Sequence, residues 1–295
     1  MKSRIARLIA LAFKIRGKLS EEEAEEALNK LLEEGEVPAA APKIPKTRQV
    51  MTPEGGIFYA NEETSSGYTV FYIHGGGYED NFSLFHWRFL NKVIINTDAM
   101  LIVPAYRLIP FACWKNAFSL IMPVYREYAV EHPEKKIILM GDSAGGGLAL
   151  SLAEQIKSEG IRMPDELILM SPWVDVTMEN AEIEMYNEED PWLSVPWLKV
   201  AGRHWAGDLD GHAFQVSPIY GDLKGLRNVT IFMGTEEVFV PDIKKLFSML
   251  DPDDSNELII GEDMNHVYPL LPIPEAAEAE KIIFQKITRK PHSAV

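Results

Sequence analysis

Short, almost continuously apolar runs recur along the chain: YTVFYI (68–73), AMLIV (99–103), KIILM (136–140), ELILM (166–170), VTIFM (229–233) and NELII (256–260). Runs of this length with little polar alternation are what strands buried on both faces of a parallel sheet require. Between them lie segments with helical apolar spacing at about 83–96, 114–131, 144–159, 240–250 and 274–288. The alternation predicts an α/β fold, a mostly parallel central sheet with helices on both faces. Residues from about 175 to 215 break the pattern. They hold no strand candidate, carry Trp192, Trp197 and Trp205, and read as an insertion packed above the sheet.

Ahead of the first strand the period is helical. Ile5, Leu8, Ile9 and Phe13 recur on one stripe among Arg4, Arg7, Lys14 and Arg16, which predicts an amphipathic helix. The apolar run from Leu8 to Phe13 is short for a secretion signal, and no small-residue cleavage site follows. A packed structural helix is the first reading and contact with a membrane surface the second. Ser20 and Glu23 then form a capping box opening EEEAEEALNKLLEEG, which Gly35 ends. Pro38, Pro42 and Pro45 mark a linker. The expected organisation is residues 1–45 as cap helices and linker, and 46–295 as the α/β domain with a cap insertion at about 175–215.

Composition narrows the partners. The 44 acidic residues against 29 basic give a net charge of −15, which disfavours nucleic acid and anionic membrane surfaces. No stretch approaches the ~20 apolar residues of an integral membrane span. Cys113 is the single cysteine, which excludes an internal disulfide and a Cys-only metal site. A reducing compartment is permitted, and a cytoplasmic location is the expectation. A small neutral or apolar molecule fits such a chain best.

The chemistry begins after KIILM. Gly141-Asp142-Ser143-Ala144-Gly145 fits G-x-S-x-G with a strand before it and a helix after it. So tight a turn lifts the serine hydroxyl above the sheet edge, and the following helix N-terminus faces the charge that develops in a reaction. The structural alternative is a small-residue turn that only packs a helix. After YTVFYI comes His74-Gly75-Gly76-Gly77-Tyr78, whose glycine amides suit an oxyanion together with the amide of Ala144. A phosphate loop would need G-x-G-x-x-G spacing or a Walker lysine, and both are absent. His74 reads as a strut of that loop. A serine needs a base, and His266 alone among seven histidines follows a late strand and precedes the final helix. In GTEEVFVPD (234–242), Glu236 and Glu237 fall three and four residues past VTIFM. Asp242 falls nine past it and opens a helix after Pro241, where an acid is explained by the helix dipole.

HGGGY (74–78), YRL (106–108) and GDSAGG (141–146) resemble the hormone-sensitive-lipase-like branch of the α/β-hydrolase esterases and lipases. FHWRF (85–89), SPWVDVTM (171–178), VSPIYGDL (216–223) and NHVYPLLPIPEA (265–276) are similar to a bacterial subgroup of it. The likeness runs from about residue 68 to 280 and implies an α/β-hydrolase fold with a helical cap. It implies a serine carboxylesterase for short to medium acyl esters, with a small-molecule ester as partner and neither cofactor nor metal. The family's oxyanion donors map onto Gly76 and Gly77, with Gly75 a further candidate, and onto Ala144. Its G-T-x-D motif places the acid at Glu237, a glutamate where relatives carry aspartate, so the implied triad is Ser143, His266 and Glu237. The chain also departs at Leu108-Ile109-Pro110-Phe111, where relatives commonly have an acid after the proline. A ligand-binding protein that has lost its chemistry and an amidase are the competing readings, and a homodimer is compatible with the sequence. Residues 1–35 and 175–215 are expected to line the acyl pocket through Ile5, Leu8, Ile9, Phe13, Met185, Trp192 and Trp197.

Overall fold

A computed structural model of the chain describes residues 2–289 apart from 17, 41, 43, 253 and 254. The side chains of Phe13 and Arg16, named above, lie outside the described residues. In chain order the elements are α1 (Arg4–Arg16), α2 (Glu21–Glu34), β1 (Arg48–Thr52), β2 (Gly55–Ala60), β3 (Tyr68–Ile73), α3 (Leu84–Thr97) and β4 (Met100–Tyr106). Then come α4 (Trp114–Glu131), β5 (Lys136–Asp142), α5 (Ser143–Ser158), β6 (Glu166–Met170), α6 (Glu184–Asn187) and α7 (Val195–Ala206). The chain continues through β7 (Val229–Glu236), α8 (Val240–Met249), β8 (Glu257–Asn265) and α9 (Ala276–Thr288).

The strands form one sheet in the order β1-β2-β4-β3-β5-β6-β7-β8. From β4 to β8 every neighbour is parallel, while β1 and β2 join the β4 edge antiparallel. The apolar runs are buried on both faces, as their lack of alternation requires. In β3, Phe71 and Ile73 enter one core cluster and Val70 and Tyr72 the other. In β5, Ile137 and Leu139 face the first cluster and Ile138 and Met140 the second. The first cluster takes its helical side chains from α2, α4, α5, α7 and α8, the second from α1, α3 and α9.

β1 and β2 carry no signal that the hydrophobic pattern registers. β1 is an edge strand with four of its five residues exposed, and β2 opens on Gly55-Gly56. The segment from 175 to 215 holds α6 and α7 and no strand among its described residues, as its composition predicts. α2 carries the expected capping box. The Ser20 hydroxyl accepts from Glu23 N–H at 3.2 Å, and the Glu23 carboxylate accepts from Ser20 N–H at 2.8 Å. α2 packs on α7, and the contact is edged by charge, with His204 Nε2 2.9 Å from Glu25 and Arg203 bonded to Glu21 and Glu25. β3 is flanked by β4 on one side and β5 on the other, so the chain reverses its direction of growth between β3 and β5. Open α/β sheets bind ligands at the carboxyl ends of strands where the order reverses.

Candidate active site

Ser143 sits at that reversal, between the end of β5 and the first turn of α5. Its φ is +52°, a left-handed conformation that side chains avoid unless the surroundings impose it. What imposes it is close approach on both sides. A Cβ on Gly145 would lie 2.2 Å from the Ile73 carbonyl oxygen, and one on Gly141 2.3 Å from that of Gly145. The glycines of GDSAG are therefore fixed by contact with β3 and with each other.

The end of β8 brings His266 Nε2 to 2.8 Å from Ser143 Oγ, and the end of β7 brings Glu237 Oε2 to 2.5 Å from His266 Nδ1. All three side chains are buried: Ser143 is 8% exposed, His266 2% and Glu237 0%. The other carboxylate oxygen of Glu237 accepts from Gly234 N–H and from Ser171 Oγ, each at 2.8 Å. Ser171 in turn accepts from Val267 N–H at 3.0 Å, so one hydroxyl from the end of β6 spans the acid loop and the histidine loop. Glu236 points elsewhere and pairs with Lys2. Asp242, at the start of α8, accepts from Asn180 Nδ2 at 2.7 Å and has no bond to His266. Burial pushes its pKa up to about 6.

The loop after β3 is organised by Asp142. Its carboxylate accepts from Tyr72 OH at 2.6 Å, Gly75 N–H at 3.0 Å and His86 Nε2 at 3.3 Å. His86 Nδ1 accepts from Ser83 N–H, which leaves Nε2 as the donor to Asp142. Burial would raise the Asp142 pKa, and the electrostatic pull of His86 together with these hydrogen bonds outweighs it and holds it below the usual range. Gly75 was counted above among oxyanion donors; its N–H is already committed to Asp142, and this corrects that expectation. His74 is fully buried, stacked on Tyr106 at 4.5 Å, and pushed down to about 4 by burial, then by the nearby His86. It is a neutral strut. Tyr78 OH donates to the Ala144 carbonyl at 3.0 Å, and its ring stacks on Trp205 of α7 at 3.9 Å.

A cavity of about 290 Å³ opens over Ser143 and His266. Trp192, Leu193, Trp197, Leu198, Leu270 and Leu271 form its apolar wall, and Gly76 and Gly77 reach its floor. Trp192 and Trp197 thus line it as expected. The other described residues of the expected lining do not: Ile5 is 48% exposed, Leu8 65% and Met185 65%, and none of the described side chains of α1 belongs to the wall. The buried side of α1 instead packs Ala6 into the cluster that holds Leu270 and Leu271. Pattern reasoning missed Ser171, Asp142, His86 and Asp190. Their only sequence signal was membership of the motifs SPWVDVTM, GDSAGG and FHWRF, and Asp190 had none.

Among the described residues no group of three or more His, Cys, Asp or Glu side chains is arranged to hold a metal, and no helix is long and apolar enough to cross a membrane. A curated esterase of Acinetobacter venetianus is 30% identical over 185 residues, covering 62% of this chain and 61% of that protein. The chain thus spans about three fifths of that relative. A solved Staphylococcus aureus structure is 27% identical with a TM-score of 0.84, over 94% of this chain and 96% of that one. A hormone-sensitive lipase from a metagenome library, also solved, is 25% identical with a TM-score of 0.79, over 98% of each chain. The family model for the α/β-hydrolase fold matches residues 70–270, well over half the sequence, and the chain belongs to that family, in its hormone-sensitive-lipase-like branch.

Proposed function

We propose that the protein hydrolyses carboxylic esters with short to medium acyl chains, Ser143 acting as nucleophile, His266 as general base and then acid, and Glu237 as the carboxylate that orients His266. The observation that carries the reading is the unbroken run of hydrogen bonds from Ser143 Oγ through His266 to Glu237 at 2.8 and 2.5 Å. With Nδ1–H donated to Glu237, Nε2 is the free acceptor for the serine proton, and the carboxylate favours the imidazolium formed during attack. The Ser143 oxygen adds to the ester carbonyl and the oxyanion forms against the amides of Gly76, Gly77 and Ala144, Gly75 being engaged elsewhere. His266 protonates the departing alcohol, and a water it deprotonates then releases the acid from the acyl-enzyme.

The apolar wall of Trp192, Leu193, Trp197 and Leu198 supports an acyl group as the buried half of the substrate. In this reading α1, α2 and the segment with α6 and α7 form the cap, and the α/β body carries the reacting groups. The test is hydrolysis of p-nitrophenyl esters from acetate to decanoate, compared with the matching anilide, by the parent and Ser143→Ala. Ester turnover that falls at least a thousandfold in the variant, with no anilide turnover, is expected. A residual ester rate within tenfold of the parent overturns the nucleophile assignment, and efficient anilide cleavage reassigns the protein as an amidase.

A further inference from the structure

One buried carboxylate beside the site has no part in the mechanism above. Asp190 lies in the turn between α6 and α7 and is 1% exposed. Its Oδ1 accepts from the backbone N–H groups of Trp192 at 2.8 Å and Leu193 at 2.9 Å. Its Oδ2 accepts from Val238 N–H at 3.0 Å. The first two donors belong to residues of the cavity wall. The third is the amide immediately after Glu237. We propose that Asp190 is a positioning residue: it fastens the wall of the acyl cavity to the loop of the catalytic acid. The inference rests on the roles given above to Ser143, His266 and Glu237.

Three N–H donors converging on two carboxylate oxygens account for a charged group in so closed a place, since a buried carboxylate without partners would not persist. Burial pushes the Asp190 pKa up, and the positive charge of His266 pulls it back down. Contacts run the same way. The Trp192 ring stands edge-on to the His266 ring at 5.7 Å, so the residue that Asp190 orients also packs on the base. Phe239, one residue beyond Val238, packs on the other side of His266 at 5.2 Å. A shift of the wall on acyl binding therefore reaches the acid and the base through one side chain. Displacements of about 1 Å at a reacting group cost up to a hundredfold in rate.

A purely structural tie would change stability and the fraction of competent enzyme, and nothing else. A tie that aligns the wall with the acid loop would also lower kcat per reactive site while KM changes little.

The experiment compares parent, Asp190→Asn, Asp190→Glu and Ser143→Ala as full chains. The readouts are melting temperature, fluorophosphonate-reactive fraction, and kcat and KM on p-nitrophenyl acetate. The amide of Asp190→Asn can offer an acceptor to only one side of the turn, so kcat per reactive site should fall about ten- to a hundredfold with KM within about threefold. Asp190→Glu keeps both acceptor oxygens but displaces them, so kcat should fall by about fivefold or more; it carries the test alone if the asparagine variant does not fold. A kcat per reactive site in Asp190→Asn within about twofold of the parent, or a parental Asp190→Glu, overturns the inference. A parent whose turnover survives Ser143→Ala overturns the functional reading instead, whatever the Asp190 variants do.

Discussion

Glu237 accepts three hydrogen bonds while fully buried, from His266, Ser171 and Gly234. That count suits a glutamate at this place. The longer side chain lets one oxygen meet the histidine while the other closes back on its own loop, three residues away at Gly234. Glu237→Gln should lower kcat on p-nitrophenyl acetate by several orders of magnitude with KM little changed, because the amide either loses the acceptor for His266 or stabilises the wrong tautomer. Asp242→Asn should retain nearly full activity, since Asp242 bonds Asn180 and lies outside the relay. If Asp242→Asn abolished turnover and Glu237→Gln spared it, the acid would have to be reassigned. A second prediction belongs to Glu154, buried in α5 with one oxygen lacking any partner. Burial raises its pKa to about 8, against a smaller lowering by the Asp222 amide and by Lys157. The folded pKa therefore exceeds the unfolded one, so this group's stabilisation is full below about pH 4.5 and is lost as pH rises to about 8. Glu154→Gln should match the parent in the free energy of urea unfolding near pH 4.5 and exceed it at pH 8.5 by on the order of a few kcal/mol. A parent-minus-variant difference that is flat with pH would contradict the assignment. Serine, histidine and acid were legible because each stands at a strand end with its own motif. Ser171 and Asp190 were not, because their partners lie 66 and 48 residues away and only the fold joins them.

Helix α7 meets the glycine loop after β3 without a gap. A Cβ on Gly77 would come within 1.9 Å of the Trp197 ring, and Gly77 itself has φ +60°. Trp197 Nε1 donates to Glu79 at 3.1 Å, one turn of loop further on. An element of the wall thereby fixes the loop that is proposed to hold the oxyanion. Gly77→Ala should lower kcat about a hundredfold, by displacing the loop amides, more than it raises KM. Trp197→Ala in the same chain should recover part of that loss and move the preferred acyl length upward, because it removes the clash and enlarges the cavity. No recovery in the double variant, measured over the acetate-to-decanoate series, would show that backbone strain rather than the α7 contact decides. The element pattern itself was largely legible. β3 and β6 begin and end where their apolar runs do, because buried parallel strands have no solvent face to blur the run. β4, β5, β7 and β8 extend past their runs, β5 through Asp142 up to Ser143, and β7 and β8 through Glu236 and Asn265 up to Glu237 and His266. β1 escaped because an exposed edge strand following a proline-rich linker offers no hydrophobic period to read, and β2 because it opens on Gly55-Gly56 and leaves too short an apolar run.

Across the whole molecule, the first helix is joined to the site from behind rather than through the cavity. Lys2 Nζ bonds the Glu236 carboxylate and, at 3.0 Å, Asn265 Oδ1, the neighbours in sequence of Glu237 and His266. Ser3 is bonded to Glu275 just before α9, its hydroxyl at 3.0 Å, and Ala6 is buried with Leu270 and Leu271. The apolar stripe read from the sequence suggested that α1 shapes the acyl pocket, because spacing reveals that a face exists and not which face the fold covers. Ile5, Leu8 and Leu11 turn outward, and the contacts that matter are made by the polar residues at the start of the helix. Deleting residues 2–16 should therefore lower kcat roughly tenfold, as the acid and histidine loops lose a shared cation, and leave the ranking of acyl lengths unchanged. Lys2→Gln alone should carry much of the kcat loss with little change in melting temperature, because it keeps the helix and its packing while removing the charge between the two loops. Steady-state kinetics over the ester series separates the cases. A deletion that reorders the acyl preference at unchanged kcat would return α1 to the pocket wall, and a parental Lys2→Gln would leave the packing of Ala6 against the Leu270 cluster as the means by which α1 acts.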